Sequence, residues 1–360
     1  MTQDQRLFLE LLQVTIGVKD ALSVVPTCKQ WRDVYMLSIR HCVVAICLSG
    51  IDRLPQSQRP EKELLLEWIG QTQIIKSQNE LVNERIKELT QFFHKGGYDS
   101  CLLKGQGNAQ YYPHPELRQS GDIDLWVSGN RDEIVNYVRS QDVPVHNVHF
   151  VHAEADFFDD VMVEIHFQPS CMYNPLVEKK LYSFFNAQAS LQASYYDKNR
   201  GYASPSVSFN LIYNLIHIYR HVFDEGIGIR QILDYYYILL NSNYEEREKL
   251  KFLLKGFNLT KFTAVLMYVM KVLFSLNDDY ILCKPDEKRG ERLLKDIIEG
   301  GNFGQYGKYA RTTTDEQRVK RGVNNLKHDL QFFTISPDEF LCIPFFKLWH
   351  LCWRKKKGYL

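Results

Sequence analysis

The sequence predicts an α+β protein, with a compact α/β centre flanked by helical regions at both ends. Three observations carry this expectation. Apolar residues recur at helical spacing through residues 1–96. The segment Ser120-Gly121-Asp122-Ile123-Asp124-Leu125-Trp126-Val127 alternates with the two-residue period of a strand. From Ser206 onward the helical spacing returns. The expected division is a helical region over 1–96, an α/β core over 97–205 and a second helical region over 206–360.

Composition bounds the function. At 360 residues the chain can bury a sizeable core, and 45% hydrophobic with 24% charged residues is ordinary for a globular protein. A net charge of +1 argues against a partner as long and acidic as a nucleic-acid duplex. No apolar run reaches the ~20 residues that span a bilayer. The N-terminus lacks a basic segment before its apolar run, and Glu10 interrupts that run, which argues against a signal peptide. A soluble, cytoplasmic protein is expected. The eight cysteines form no C-x-x-C pair and no zinc spacing, and several sit in apolar surroundings such as Cys42–Cys47. They read as buried thiols in a reducing compartment.

Taken in order, residues 4–17 carry Leu7, Phe8, Leu11, Leu12 and Ile16 on one helical stripe. Thr27-Cys28-Lys29-Gln30 is a capping-box start for a second helix. A short apolar stretch, Val43 to Leu48, precedes Pro55. Pro60 opens a long helix in which Trp68, Ile75, Val82 and Leu89 recur every seventh residue, and Gly96-Gly97 ends it. Ser100 to Gly105 reads as a short strand ending in glycine, and Gln106 to Tyr112 as a helical turn. The acidic strand covers 121–128, and Asn130 caps a helix to about Ser140. Residues 146–158 and 161–167 pair as an antiparallel hairpin turning at Asp159-Asp160. Helices are then expected at about 206–224, 228–241, 244–255, 259–275, 286–299, 314–333 and 337–355. Ser336-Pro337-Asp338-Glu339 starts the last one, and Pro344 kinks or restarts it.

The chemistry concentrates in the centre. In an extended strand Asp122 and Asp124 point the same way, and two adjacent carboxylates repel unless something positive sits between them. Hard oxygen ligands on a rigid strand suit Mg²⁺ together with a phosphorylated substrate. Glu164 lies on a neighbouring strand with the alternation to face the same cleft. Gly105, between a strand and a helical turn, allows close approach of a phosphate to the backbone, and Lys104 adds a cation. Such a site can bind a nucleoside triphosphate, with Glu164 completing it and serving as general base.

These motifs carry a resemblance. The strand ending in Gly105, then Gly121-Asp122-Ile123-Asp124-Leu125, then a third acid on a later strand resemble the nucleotidyltransferase fold of the DNA polymerase beta superfamily. More narrowly, Leu103-Lys104-Gly105, Arg118, Gly121-Asp122-Ile123-Asp124 and Val163-Glu164-Ile165-His166 resemble an uncharacterised bacterial nucleotidyltransferase family. The similarity continues through His217-x-x-x-His221, Gly228-x-Arg230, Asp234 and Gly301-Asn302-Phe303-Gly304. The resemblance implies a nucleotidyltransferase-like mixed β-sheet core with Asp122, Asp124 and Glu164 as metal ligands. It departs from the superfamily at Gly105-Gln106, where Gly-Gly or Gly-Ser is usual, and in a longer gap before Asp122. The expected reaction moves an NMP group from an NTP, ATP first, to a hydroxyl or phosphate acceptor with Mg²⁺. The alternative is a catalytically weak nucleotide-binding module, which Gln106 favours. An acid pair at i,i+2 is too close for a metal-free glycosidase, whose carboxyls stand ~5–9 Å apart.

The remaining candidates divide between chemistry and packing. Lys104, Gly105, Gln106, Gly121, Arg118, His166, His217, His221 and Arg230 are the nucleotide-binding set. Arg118 pairs with Asp122 or a phosphate, or is a surface arginine. His217 and His221 share a helix face but lack the glutamate of H-E-x-x-H, which disfavours zinc. Arg230 and Asp234, one turn apart, form an ion pair or flank the triphosphate. His152, Glu154 and Asp156 alternate on what reads as a solvated edge. The C-terminal aromatics followed by Arg354-Lys355-Lys356-Lys357 suit either a membrane-surface contact or, as the favoured reading, a buried terminal helix.

Overall fold

A 34-residue helix, α4 (Lys62–Lys95), runs through both halves of the hydrophobic interior. The computed structural model describes residues 1–306 and 330–359. The heptad-spaced residues of α4 are all buried. Its first half, with Leu64, Trp68 and Ile75, packs among α1 (Gln3–Thr15), α2 (Cys28–Arg40) and α3 (Val44–Ile51). Its second half, with Val82, Ile86, Leu89 and Phe93, packs against the sheet. Thr27 caps α2 in a reciprocal box with Gln30, as the sequence indicates. The Trp68 indole donates to the Val44 carbonyl at 2.8 Å, so even this fully buried ring has its polar atom satisfied.

The sheet contains β1 (Ser100–Leu103), β2 (Ile123–Val127), β3 (Val145–His146), β4 (His152–Ala155) and β5 (Val163–His166) in the order β1-β2-β5-β4-β3. It is mixed: β2 and β5 run parallel, and the other neighbours run antiparallel. The expected hairpin appears as β4 and β5, with His152 opposite His166 and Ala155 opposite Val163. Alternation then divides the sheet. Ile123, Leu125, Val127, Val163 and Ile165 face α4 and α6 (Arg131–Ser140). Asp124, Trp126, Glu164 and His166 occupy the opposite face. There Trp126 stacks on Phe209 of α8 (Val207–Asp224) at 5.7 Å, so the acids look toward a helix rather than toward bulk water.

Two elements were not expected from the sequence. α7 (Pro175–Ala193) follows β5, and a small hairpin, β6 (Tyr196–Asp197) with β7 (Tyr202–Ala203), returns the chain to α8. The start of α7 carries a recognisable signal, because Asn174 caps it and Pro175 occupies its first turn. Its body hides the signal: Leu176, Tyr182 and Leu191 are exposed beside buried Val177, Leu181 and Phe185.

The later helices are α9 (Ile229–Leu240), α10 (Tyr244–Gly256), α11 (Thr260–Phe274), α12 (Glu287–Gly300) and α13 (Pro337–Lys357). The helix expected at 314–333 lies largely outside the described residues. Helices from the two ends of the chain share one core. Gln13 of α1, for example, donates to the carbonyls of Val272 and Leu273 in α11 at 3.2 and 3.3 Å. Among the described residues, no helix is long and apolar enough to cross a membrane, and the eight cysteines are unpaired.

The terminal helix narrows one expectation and corrects another. α13 continues through Pro344 without restarting. It is also not a buried helix: Glu339 and Ile343 are its buried residues, while Leu341, Phe345, Leu348 and Leu351 are exposed. The physical reason is that one aromatic stripe, Phe346, Trp349 and Trp353 against Phe150, and a polar anchor at its start hold α13 and leave its other side to solvent. Glu339 accepts from Arg220 Nη1 at 2.7 Å and from the Asn174 backbone N–H at 2.9 Å, and Arg220 lies 3.6 Å over the Tyr173 ring. Breaking such a buried pair from one side costs about 3–5 kcal/mol. Glu339→Ala should therefore expose α13 to limited proteolysis and lower the unfolding midpoint in urea, whereas Leu348→Ala should leave both unchanged.

Candidate active site

The acid site is built by strand register. Asp124 of β2 sits directly beside Glu164 of β5, and Asp122 lies two residues earlier on the same face. One oxygen from each of Asp122, Asp124 and Glu164 lies within 4.8 Å of the others. They open onto a cleft of about 480 Å³ between the sheet, α8, the start of α9 and α13. That volume is in the range of small-molecule sites.

The cleft balances its own charge. Asp124 is 2% exposed, and its Oδ1 meets Lys104 Nζ at 2.7 Å and His166 Nε2 at 2.9 Å. His166 Nε2 also lies 3.2 Å from Glu164 Oε2. Burial opposes charge on Lys104 and His166, but the carboxylates prevail: Lys104 is raised, and His166 is raised to about 9. Burial would raise Glu164, yet its hydrogen bond with His166 holds it well below the usual carboxylate range. Asp122 goes the other way, to about 6, pushed by the charge of Asp124 and by burial. Asp122 is thus the acid whose charge lacks a full partner.

Arg118 has a structural role. Its Nε and Nη2 reach Asp234 Oδ1 and Oδ2 at 2.8 and 2.7 Å, a bidentate pair buried on both sides. Tyr112 Oη donates to the same carboxylate at 2.6 Å. This corrects the two expected pairings, Arg118 with Asp122 and Arg230 with Asp234. One helical turn brings Arg230 and Asp234 near each other, but Asp234 has already spent both oxygens on Arg118 and Tyr112. Arg230 instead donates through Nη1 to the carbonyls of Gln119 and Ser120 at 2.9 and 3.3 Å. Its Nε is buried without a partner, and burial followed by the charge of Arg118 lowers its pKa. A side chain added at Gly121 would lie about 3.9 Å from that guanidinium, so Arg230 borders the strand entry to Asp122.

The glycine turn differs from the expected phosphate cradle. Lys104 and Gly105 both take positive φ, 46° and 44°, and the helix that follows, α5 (Gly105–Ala109), is only five residues long. So short a helix has little dipole to offer an anion. Gln106 turns away from the cleft: its Nε2 donates to Asn83 of α4 at 3.1 Å. The strained Lys104 backbone serves instead to aim its ammonium at Asp124.

His217 and His221 of α8 line the cleft with rings 4.2 Å apart. Burial and then the charge of Lys104 hold His217 well below its usual range, so it is neutral. Gly301-Asn302-Phe303-Gly304 also acquires a place. Asn302 Oδ1 accepts from Gln231 Nε2 at 3.0 Å, and Phe303 packs 5.3 Å from His221. Gly226 and Gly228 permit this docking, because a Cβ on either would lie 2.9 Å from the Cα of Gly304 or Asn302. The sequence puts His152 on a solvated edge, but the loop before β4 folds over it, with the His149 ring 5.4 Å away, and His152 Nδ1 lies 3.6 Å from Glu164 Oε2. Glu154 and Asp156 do face outward, paired with Asn147 and His146.

A mixed sheet carrying three convergent carboxylates above a polar cleft can hold a divalent cation. The chain belongs to a family of uncharacterised nucleotidyltransferases, whose model matches residues 27–275. No curated protein and no solved structure matches it significantly. The similarity expected at Gly301–Gly304 falls beyond the matched residues.

The site makes two predictions. Asp234→Ala would strand the buried Arg118 guanidinium and should cost about 3–5 kcal/mol in urea unfolding, with Tyr112→Phe milder. The acid trio fits a divalent cation by donor type and spacing. A cation that binds only the folded state raises stability by about 2.7 kcal/mol at a hundredfold excess over its Kd. Mg²⁺ or Mn²⁺ should therefore raise the melting temperature of wild type, and Asp124→Asn should abolish the rise.

Proposed function

We propose that the protein transfers a nucleoside monophosphate from an NTP, ATP first, to a hydroxyl or phosphate acceptor with release of pyrophosphate. The observation that carries this reading is the convergence of Asp122, Asp124 and Glu164 within 4.8 Å at one cleft, in a chain of the uncharacterised nucleotidyltransferase family. Asp122, Asp124 and Glu164 would hold Mg²⁺, which supplies charge neutralisation and Lewis acidity at the transferred phosphoryl group. Glu164 is a weak base here, because its imidazole neighbours lower its pKa, so it serves as a ligand in place of the expected base. Lys104 reaches Asp124 and borders the cleft, where its ammonium is placed to meet a phosphate oxygen. Arg230 supplies a second cation, a buried guanidinium whose Nε has no hydrogen-bond partner among the described residues. Neutral His217 offers the acceptor a hydrogen-bonding wall without a competing charge.

A second reading has its own observation. Lys104 and His166 already neutralise Asp124, and Gln106 turns away from the cleft, as suits a nucleotide-binding module with weak turnover. Incubation with labelled NTPs, Mg²⁺ and cell extract separates the two. Transfer of label should fall about 10²–10³-fold in Asp122→Asn and Asp124→Asn. No transfer, with ATP binding unchanged in Asp124→Ala, would establish the module instead. Arg230→Met, which keeps the volume and removes the charge, should weaken NTP binding by about 1.5–3 kcal/mol, the value of a charged hydrogen bond, as measured by calorimetry.

A further inference from the structure

The same cleft holds a second cluster of potential ligands. One ligand atom from each of His152, Glu164 and His166 lies within 4.8 Å of the others. The three side chains come from adjacent strands in fixed register, with His152 directly opposite His166. Glu164 belongs to this cluster and to the acid trio alike.

The hydrogen bonding suits a cation here. His166 Nδ1 lies 3.4 Å from the Gln168 carbonyl, which can accept only if Nδ1 carries the hydrogen. Nε2 then faces Asp124 Oδ1 and Glu164 Oε2 at 2.9 and 3.2 Å. A lone pair on Nε2 aimed at two carboxylate oxygens is repulsive, so the position requires either a proton or a metal ion. A ligating histidine commonly has its other ring N–H tied to a carbonyl in this way. His152 makes no side-chain hydrogen bond among the described residues, and its Nδ1 points at Glu164 Oε2 from 3.6 Å, beyond hydrogen-bonding distance. Two imidazoles and a carboxylate leave a coordination position open toward the cleft, as catalytic metal sites do.

We propose that His152, Glu164 and His166 form a second cation site, that Glu164 bridges it to the acid trio, and that it takes a first-row transition metal ion in preference to Mg²⁺. Nitrogen ligands set the preference, because imidazole suits the borderline metals whereas Mg²⁺ selects oxygen. A shared carboxylate places two ions on the order of 3.5–4 Å apart, the spacing of two-metal centres. The cleft therefore pairs an oxygen site with a nitrogen-containing one. The inference deepens the reading of this cleft as a transferase site, but its test is carried out without nucleotide, so its failure would leave the transfer reading standing.

The test uses the full chain, freed of metal by a chelator and then held in excess Mg²⁺ to fill the acid trio. Co²⁺ is the probe, because its visible absorption and its paramagnetically shifted imidazole N–H protons report nitrogen ligation. Wild type should take up one equivalent of Co²⁺ and show a shifted N–H proton from His166. His152→Asn should lose more than roughly tenfold in Co²⁺ affinity, since even an outer-shell partner is worth that much. His146→Asn, which removes an exposed imidazole outside the cluster, should bind as wild type does. Circular dichroism checks that His152→Asn is folded. If it is not, the shifted N–H proton of wild type decides, and its absence overturns the proposal. Equal Co²⁺ affinity in folded His152→Asn and wild type, or complete displacement of Co²⁺ by Mg²⁺, overturns it as well.

Discussion

A carboxylate at the centre of a sheet, 2% exposed, is the constraint to which the rest of this molecule answers. Asp124 cannot be solvated where it lies, and an unpaired buried charge is costly. The chain compensates locally with Lys104 and His166, both drawn to the same oxygen. That arrangement in turn fixes the positive-φ turn after β1 and the alternation of β5. Asp122 and Glu164 add charge that these two cations do not fully offset. The resulting negative excess is the charge that the proposed divalent cation would offset.

The frame around the site is electrostatic as well as hydrophobic. Asp234 reaches from α9 to Arg118, in the segment leading into β2, and Tyr112 and Asn108 close on the same carboxylate. This buried cluster joins the C-terminal helices to the strand that carries the acids. A buried ion pair contributes little net stability, but breaking it from one side is expensive, which makes it a device for fixing position. Arg118 therefore acts on the site through geometry. Arg230 holds the same segment through Nη1 alone, and its Nε has no hydrogen-bond partner among the described residues, which is why the proposed reading gives it, and not Arg118, to the ligand.

How much of this was legible in the sequence depends on the range of the interaction. Asp122, Asp124 and Glu164 could be read because alternation along a strand is local, and β5 kept the register that alternation implies. The capping boxes and the long helix α4 were legible for the same reason. The partner of Asp234 was not, because helical spacing offers Arg230 at one turn while the true partner lies 116 residues earlier. The place of His152 was not legible because its neighbours are the loop residue His149 and, on the next strand, His166, and a loop shows no period. Gln106 in the phosphate turn looked like a defect of that turn. Its side chain instead packs toward α4, which no spacing rule predicts.

The cleft also shows where family resemblance stops carrying structural information. The matched residues, 27–275, include the acid trio, Lys104, His166, His217 and Arg230. The opposite wall comes from Phe303, Phe346, Lys347 and His350, all beyond that range. Phe303 is held by the docking of its turn on Gly226 and Gly228, and α13 is held by Glu339. The turn is held at a few steric and polar points, whereas α13 also lays Phe346, Trp349 and Trp353 against Phe150 and stacks Phe346 on Tyr173 at 4.2 Å. The acid end of the cleft is thus set by strand register inside the family-matched residues, and the far end by aromatic and polar contacts of α13 and of the 301–304 turn, outside them. Membership of the family therefore speaks for the acids and not for the wall opposite them, because a fold can keep one set of side chains while the elements that face it differ.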